Sequence, residues 1–188
     1  EIFPTVFEAR RALDREAVLV DLNGVPIAVH GRHGDTSVDN GFNNLESALA
    51  PRTSLMALAA EAECELRLLN QALAHHNAAM INMAQHPAVT ITPAFYQETR
   101  APKAIYDYWT RDRGWDHSAG IDAKAHNGPT MSVPVHDGGR ALDVMLGFAP
   151  AIIALYANSP FAQGRPTGRK ENRMGLWPAM LDGSHYPW

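Results

Sequence analysis

The chain has 188 residues, 46% of them hydrophobic, and a net charge of −4 from 16 basic and 20 acidic residues. That length and composition suit a single domain over residues 1–188 with a real core, and the acidic balance argues against a nucleic-acid footprint. The lone cysteine, Cys64, excludes an intrachain disulfide and a zinc site built from thiolates alone, and a reducing, cytoplasmic setting is the simplest reading.

Residues 1–7 carry Ile, Phe, Thr and Val and predict a short strand, whereas residues 8–20, rich in Ala, Arg, Leu and Glu, predict a helix. Asn23-Gly24 marks a turn before the apolar Val25–Val29, and the polar, Gly-containing stretch 30–37 predicts a loop. The clearest helix covers 53–84. Its stripe of Leu55, Leu58, Ala62, Leu66, Leu69 and Leu73 recurs in steps of three and four. Thr53 or Ser54 serves as N-cap, and Pro87 lies beyond the end. Cys64, inside this helix, reads as a buried structural thiol. His75-His76 falls on its exposed end.

Residues 101–112 carry Ile105, Tyr108 and Trp109 at helical spacing, and 113–127 read as irregular. Over 130–136, Met131, Val133 and Val135 alternate with Thr130, Ser132 and His136, which predicts a strand with one polar face. Pro134 assigns that strand to an edge or a bulge. A last helix runs from about Gly139 to Ala157, with a bend expected at Pro150. Its apolar stretch, Val144–Ala157, is shorter than the ~20 residues a spanning helix needs, so no membrane partner is expected. With neither an initiator Met nor a signal-peptide pattern, the chain reads as part of a longer polypeptide. Strands separated by long helical connections indicate an α+β domain, though that order alone also permits a parallel α/β sheet.

No phosphate-binding loop, dinucleotide fingerprint or His-Glu-x-x-His motif is present. His30 and His33 are three apart, a spacing that chance supplies readily among nine histidines. Asp39 and Glu46 are seven residues apart, an odd separation that a single strand would place on opposite faces. Their convergence requires a turn or bulge, for which Asn40-Gly41 is suited. Spacing by itself favours two solvated acids. Arg165, Arg169, Lys170 and Arg173 cluster in a Gly-containing loop after the last helix. That loop reads equally as an anion site or as an ordinary basic loop.

The segment Ala154–Trp177, with Ala157-Asn158-Ser159-Pro160-Phe161, Gly164, Thr167-Gly168, Arg173 and Trp177, resembles the signature of the glutamate–cysteine ligase and carboxylate–amine ligase family. Asp39…Glu46, followed by Pro51, and a long helix closed by His86-Pro87 resemble further family segments. The resemblance implies a curved antiparallel sheet like that of glutamine synthetase, with helices on one face and further strands beyond this chain. It implies ATP as substrate, Mg²⁺ as cofactor, and an amide formed between a glutamate-like carboxylate and cysteine or another amine through an acyl phosphate, as in glutathione biosynthesis. Glu1, Asp39 and Glu46 would hold the metal, with Asp14 and Glu16 competing with Glu1 for the first acidic position. Arg173 would be catalytic. Thr130, Ser132, Asn158, Arg173 and Trp177 would bind substrate or ATP. Amino acids and ATP are the implied partners, and self-association is left open. Two departures stand out: Thr130 and Ser132 replace the His-x-His of many members, and Glu171 replaces a Ser. A ligase-like binding protein without catalysis, an inactive fragment, and a zinc or Cys/His hydrolase are the competing readings.

Overall fold

A computed structural model describes residues 2–39, 41–115, 125 and 128–175. Glu1, Asn40, Trp177 and most of 116–127 lie outside the described residues. The elements in order are α1 (Phe3–Leu13), β1 (Val18–Leu22), β2 (Val25–Gly31), β3 (Gly34–Val38), β4 (Leu45–Leu49), α2 (Leu55–Ala74), α3 (Pro93–Thr99), α4 (Ala104–Asp107), α5 (Gly138–Tyr156), β5 (Phe161–Ala162) and β6 (Arg165–Pro166). The strands β1-β2-β3-β4 form one antiparallel sheet in chain order. The fold is therefore mixed α and β. The long helical connections expected between strands are replaced by tight hairpins, which removes the parallel alternative.

The first twenty residues differ from expectation. The stretch predicted as a strand is the start of α1, with Pro4 in its first turn. Proline is well placed there, because the first helical N–H groups have no partner to lose. Phe3, Val6 and Arg10, spaced by three and four, are the buried side of this helix. Asp14 leaves the helix in an extended conformation, and Val18-Leu19-Val20 then enter β1 rather than prolonging α1. Asn23 and Gly24 have φ of 55° and 81°, the left-handed pair that a two-residue hairpin requires. The expected loop at 30–37 is a second hairpin, turning at Arg32-His33 into β3. Thr36 reads as a polar loop residue but is fully buried.

Helix α2 is capped by the Ser54 hydroxyl, which accepts from the Ala57 N–H. It ends at Ala74, not 84. Asn77 adopts φ 53° and the Ala78 N–H returns to the Leu73 carbonyl, which closes the last turn. The buried residues are Glu65, Leu68, Leu69 and Ala72. The expected stripe is rotated by about one residue: Leu66 is 49% exposed and Leu55 84%. Cys64 is exposed as well, contrary to the buried thiol expected. The cause of the rotation is Glu65. Its Oε1 accepts from Arg10 Nη2 at 2.6 Å, Thr36 Oγ1 at 2.7 Å and Ser47 Oγ at 2.8 Å, so this carboxylate is drawn between α2 and the sheet. Phe3, Val6, Val29, Val38, Leu69 and Tyr106 belong to the surrounding core.

The helix expected over 101–112 is α4, continued as one π-helical turn over Tyr108–Asp112. The strand expected at 130–136 does not form. Residues 128–134 have no regular structure, and 135–137 make a 3₁₀ turn into α5. No neighbouring strand among the described residues is available to pair with it, and Pro129 and Pro134 contribute no N–H. Met131 and Val133 stay exposed. Pro150 lies inside α5 as expected. The apolar run is longer than the sequence count: Val135–Tyr156 is 22 helical residues, long and apolar enough by length and composition to cross a membrane, and unburied along its length. A helix that is apolar all round is equally the mark of a core helix in a larger fold.

Candidate functional site

The site begins at the turn between β3 and β4. Val38 pairs with Leu45 and Ser37 with Glu46, so partner numbers sum to 83. Thr36, Val38 and Ser47 face the helices, since Thr36 and Ser47 reach Glu65 and Val38 is fully buried. Glu46, opposite Ser37, belongs to the other face and is exposed. The ladder continues one step through the Asp39 N–H to the Asn44 carbonyl at 3.0 Å. Asp39 is two residues beyond Ser37, and Asn44 two before Glu46, so both share Glu46's face. Asn44 Nδ2 donates to Asp39 Oδ2 at 3.0 Å. The odd spacing that argued against convergence in one strand is what a hairpin needs. The two acids form a diagonal cross-strand pair, a relation that places such residues roughly 7–8 Å apart.

The elements after α2 hold this turn. The Phe42 N–H donates to the Thr99 carbonyl at 2.6 Å at the end of α3. Lys103 Nζ donates to the carbonyls of Val38 at 2.8 Å and Asp39 at 3.2 Å, and the Tyr106 hydroxyl donates to the Asp39 carbonyl. None of these clamping residues stood out in the sequence, because their hydrogen bonds go to backbone atoms and leave no motif.

The segment after α5 is a polar knot. Ser159 is fully buried. Its N–H donates to the Lys170 carbonyl at 2.9 Å, and its hydroxyl donates to Glu171 Oε2 and accepts from the Asn172 N–H, both at 2.9 Å. Asn172 Nδ2 returns to the Ser159 carbonyl at 2.6 Å, and the Met174 N–H donates to Glu171 Oε1 at 2.9 Å. Glu171, unexpected in place of Ser, thus satisfies a buried hydroxyl and a backbone amide. The β5–β6 turn seats on the chain near Ala88. A Cβ on Gly164, whose φ is 70°, would lie 2.9 Å from the Ala88 carbonyl carbon. Asn158, expected to touch substrate, is exposed, and its Nδ2 donates to the Asn82 carbonyl at 2.6 Å.

Between locked neighbours sits Arg173. It is half-buried, and its Nε is buried without a hydrogen-bond partner among the described residues. Burial lowers its pKa from the ordinary arginine value, while the negative charges of Glu171 and then Asp39 oppose that shift. Arg173 and Asp39, more than 130 residues apart in sequence, therefore lie within electrostatic range. Arg165, Arg169 and Lys170 are exposed, as expected of solvated cations.

Thr130 and Ser132 are exposed in an irregular segment, and among the described residues no hydrogen bond or ion pair joins them to this group. Glu1 and Trp177 lie outside the described residues. Of the alternatives to Glu1, Asp14 is buried and used structurally: it accepts from the Arg32 N–H at 2.6 Å and the Glu16 N–H at 3.0 Å. Those backbone bonds lower its pKa, the Arg32 bond most. Glu16 is exposed. The described residues contain no group of three or more His, Cys, Asp or Glu side chains placed to hold a metal. Asp39 and Glu46 supply two oxygen donors on one face. That matches a hard ion such as Mg²⁺, which takes one or two carboxylates and completes its shell with water and phosphate oxygens.

No curated protein matches the chain. A family sequence model described as glutamate-cysteine ligase family 2 matches residues 10–184. The matched stretch includes Asp39, Glu46 and Arg173.

Proposed function

The chain belongs to glutamate-cysteine ligase family 2, and from that membership we propose an ATP- and Mg²⁺-dependent ligase that joins a glutamate-like carboxylate to an amine through an acyl phosphate. Membership in itself indicates a ligase of the glutamate–cysteine type. The observation that carries the finer reading is Arg173, a half-buried guanidinium whose buried Nε has no hydrogen-bond partner among the described residues and which lies within electrostatic range of Asp39. A desolvated cation of this kind favours an anionic oxygen, and a guanidinium can hold carboxylate or phosphate with two hydrogen bonds.

In this reading the face of β1–β4 that carries Asp39 and Glu46 is part of a curved, glutamine-synthetase-like sheet on which the substrates lie. Asp39 and Glu46 would hold Mg²⁺, which neutralises phosphate charge when bound. The substrate carboxylate attacks the γ-phosphorus of ATP, ADP leaves, and a mixed anhydride results. The amine then attacks the acyl carbon, phosphate departs, and the amine gives up a proton. Arg173 holds an anionic oxygen in place and stabilises the charge that builds up on it. Asn44 orients the Asp39 carboxylate, and the Ser159–Glu171–Asn172 knot fixes the backbone on both sides of Arg173. Thr130 and Ser132 have no part in this scheme. The reaction belongs in the cytoplasm, where ATP and amino acids are supplied.

The test is Mg²⁺-dependent ADP release with glutamate and cysteine. Arg173→Lys keeps the charge but loses the planar fork, and kcat/KM is expected to fall roughly 100-fold, the scale of losing one donor to a developing anion. Arg169→Lys is expected to leave kinetics unchanged. Near-normal rates for Arg173→Lys would return this residue to a structural role. Absence of Mg²⁺-dependent ADP release would favour the non-catalytic alternative, and ADP release without an amide product would count against the ligase reading.

A further inference from the structure

Asp39 stands one residue past the end of β3, where the chain has no regular structure. Past the ladder, the direction of its side chain depends on what else holds its main chain. Each of its polar groups is held. The N–H reaches the Asn44 carbonyl across the turn, and the carboxylate receives Asn44 Nδ2. The carbonyl is held from outside the sheet, by the Lys103 ammonium at 3.2 Å and by the Tyr106 hydroxyl. A carbonyl oxygen has two lone pairs, and here it receives two donors. Lys103 also reaches the Val38 carbonyl at 2.8 Å, so one cation spans the last residue of the strand and the first beyond it.

Both donors come from one short piece of chain. Lys103 is the N-cap position of α4 and Tyr106 stands three residues on, a spacing that makes the two neighbours on a helix surface. The Tyr106 ring is 3% exposed, belongs to the core and packs 5.5 Å from the Trp109 ring, so its hydroxyl is presented from a fixed position. Arg100 and Asp107, 2.7 Å apart, tie the end of α3 to α4. An ammonium makes a stronger hydrogen bond than a neutral donor. Charge alone gives no reason for a lysine here, because a positive charge close to Asp39 opposes a cation bound at the acidic pair. What Lys103 contributes to the turn is its bonds to two backbone carbonyls.

We propose that Lys103 and Tyr106 are positioning residues for the acidic pair: by holding the Asp39 carbonyl they set the Asp39 carboxylate beside Glu46 in the arrangement that binds a divalent cation. The inference rests on the ligase reading, in which Asp39 and Glu46 hold Mg²⁺. It adds that affinity for the ion is set in part by α4, an element separate from the strands that carry the two acids.

Mn²⁺ alone is the probe, titrated into the isotope-labelled full chain and followed by paramagnetic broadening of the Asn44 and Glu46 amide signals. The unsubstituted chain should show saturable broadening there, and Asp39→Asn should abolish it. Tyr106→Phe keeps the ring and loses only the hydroxyl, and Lys103→Met keeps most of the stem and loses the ammonium. Groups that orient metal ligands typically matter about 10- to 100-fold in affinity, and with two donors sharing one carbonyl each variant should weaken Mn²⁺ about 10-fold. For Lys103→Met the direction is itself a test, since loss of a positive charge by Coulomb's law alone tightens cation binding. Leu69→Ala, which loosens the core but removes none of these bonds, should leave the affinity unchanged, with thermal melts showing that each variant is folded at the temperature used. Unchanged affinity in Tyr106→Phe, unchanged or tighter binding in Lys103→Met, or an equal loss in Leu69→Ala overturns the proposal and leaves the acidic pair standing as the metal site. Absence of broadening at Asn44 and Glu46 in the unsubstituted chain, or broadening that survives Asp39→Asn, removes the metal site of the ligase reading, and this inference falls with it.

Discussion

Replacing Glu65 by leucine tests the centre of the fold. One oxygen of this carboxylate receives Arg10, Thr36 and Ser47 at 2.6, 2.7 and 2.8 Å. The Arg10 and Glu65 side chains are only 6% and 9% exposed. Leucine in that place leaves the guanidinium buried without its counter-charge, with two bonds to neutral oxygens remaining, from Nη1 to the Gly34 carbonyl at 3.3 Å and from Nη2 to the Thr36 hydroxyl at 2.6 Å. Breaking a buried pair by removing one partner costs about 3–5 kcal/mol. That is a large share of the roughly 5–15 kcal/mol by which domains are stable. The paired replacement Arg10→Met with Glu65→Leu removes both charges and should recover most of the loss, since apolar substitutes for a buried pair are often neutral. Urea unfolding followed by circular dichroism measures both, with the slope checked for constancy. A loss below about 1 kcal/mol for Glu65→Leu would refute this account. A double variant no more stable than the single one would refute it equally, because the cost would then lie in packing and not in a stranded charge.

Leu69→Ala should cost about 2–5 kcal/mol, because Leu69 is 2% exposed, while Leu66→Ala should stay within about 0.5 kcal/mol; thermal melts compare them. Asp14 binds two backbone N–H groups and its folded pKa lies below the ordinary 3.8. Its stabilisation is therefore complete above 3.8 and is lost as pH falls through the lowered value. Asp14→Asn should lower Tm at pH 7, and this charge-dependent part of the deficit should shrink below pH 3.8; a deficit independent of pH would count against it. Gly164→Ala should cost more than about 1 kcal/mol, since φ is positive and the Ala88 backbone blocks the methyl group. Gly168→Ala, at φ 78° with open space around it, should cost less in the same melts.

The legible parts of the fold were those set by local chemistry. The Asn23-Gly24 turn, the Ser54 cap and the helix containing Pro150 each follow from a few adjacent residues. The strand and helix assignments before Asn23 failed because they weighed propensity over a short window. Pro4 and the spacing of Phe3, Val6 and Arg10 mattered more. Helix α2 shows a subtler failure. Its leucines gave a reasonable stripe, but Glu65 has three donors waiting on other elements, and satisfying them turned the helix. A charged residue inside an apolar run has no visible partner until the sheet that supplies Thr36 and Ser47 exists.

The candidate site divides in the same way. Asp39 and Glu46 were visible as residues, yet the rule applied to them belonged to a single strand. When a chain folds back with partners summing to an odd number, residues on one face of the two strands differ in parity. An odd separation is then the condition for convergence, and the seven-residue gap supports the pairing it was taken to oppose. Arg173 was visible only through the resemblance, since four cations lie within nine residues and composition does not rank them. What distinguishes Arg173 is the knot around it. Ser159, Glu171 and Asn172 bond one another and Met174 is tied to Glu171, which fixes the backbone around Arg173, while its Nε has no hydrogen-bond partner among the described residues. A cation half-withdrawn from water, with its Nε unpartnered among the described residues, is on the proposed reading the group that receives an anionic oxygen of the substrates, and the Arg173→Lys kinetics decide that role.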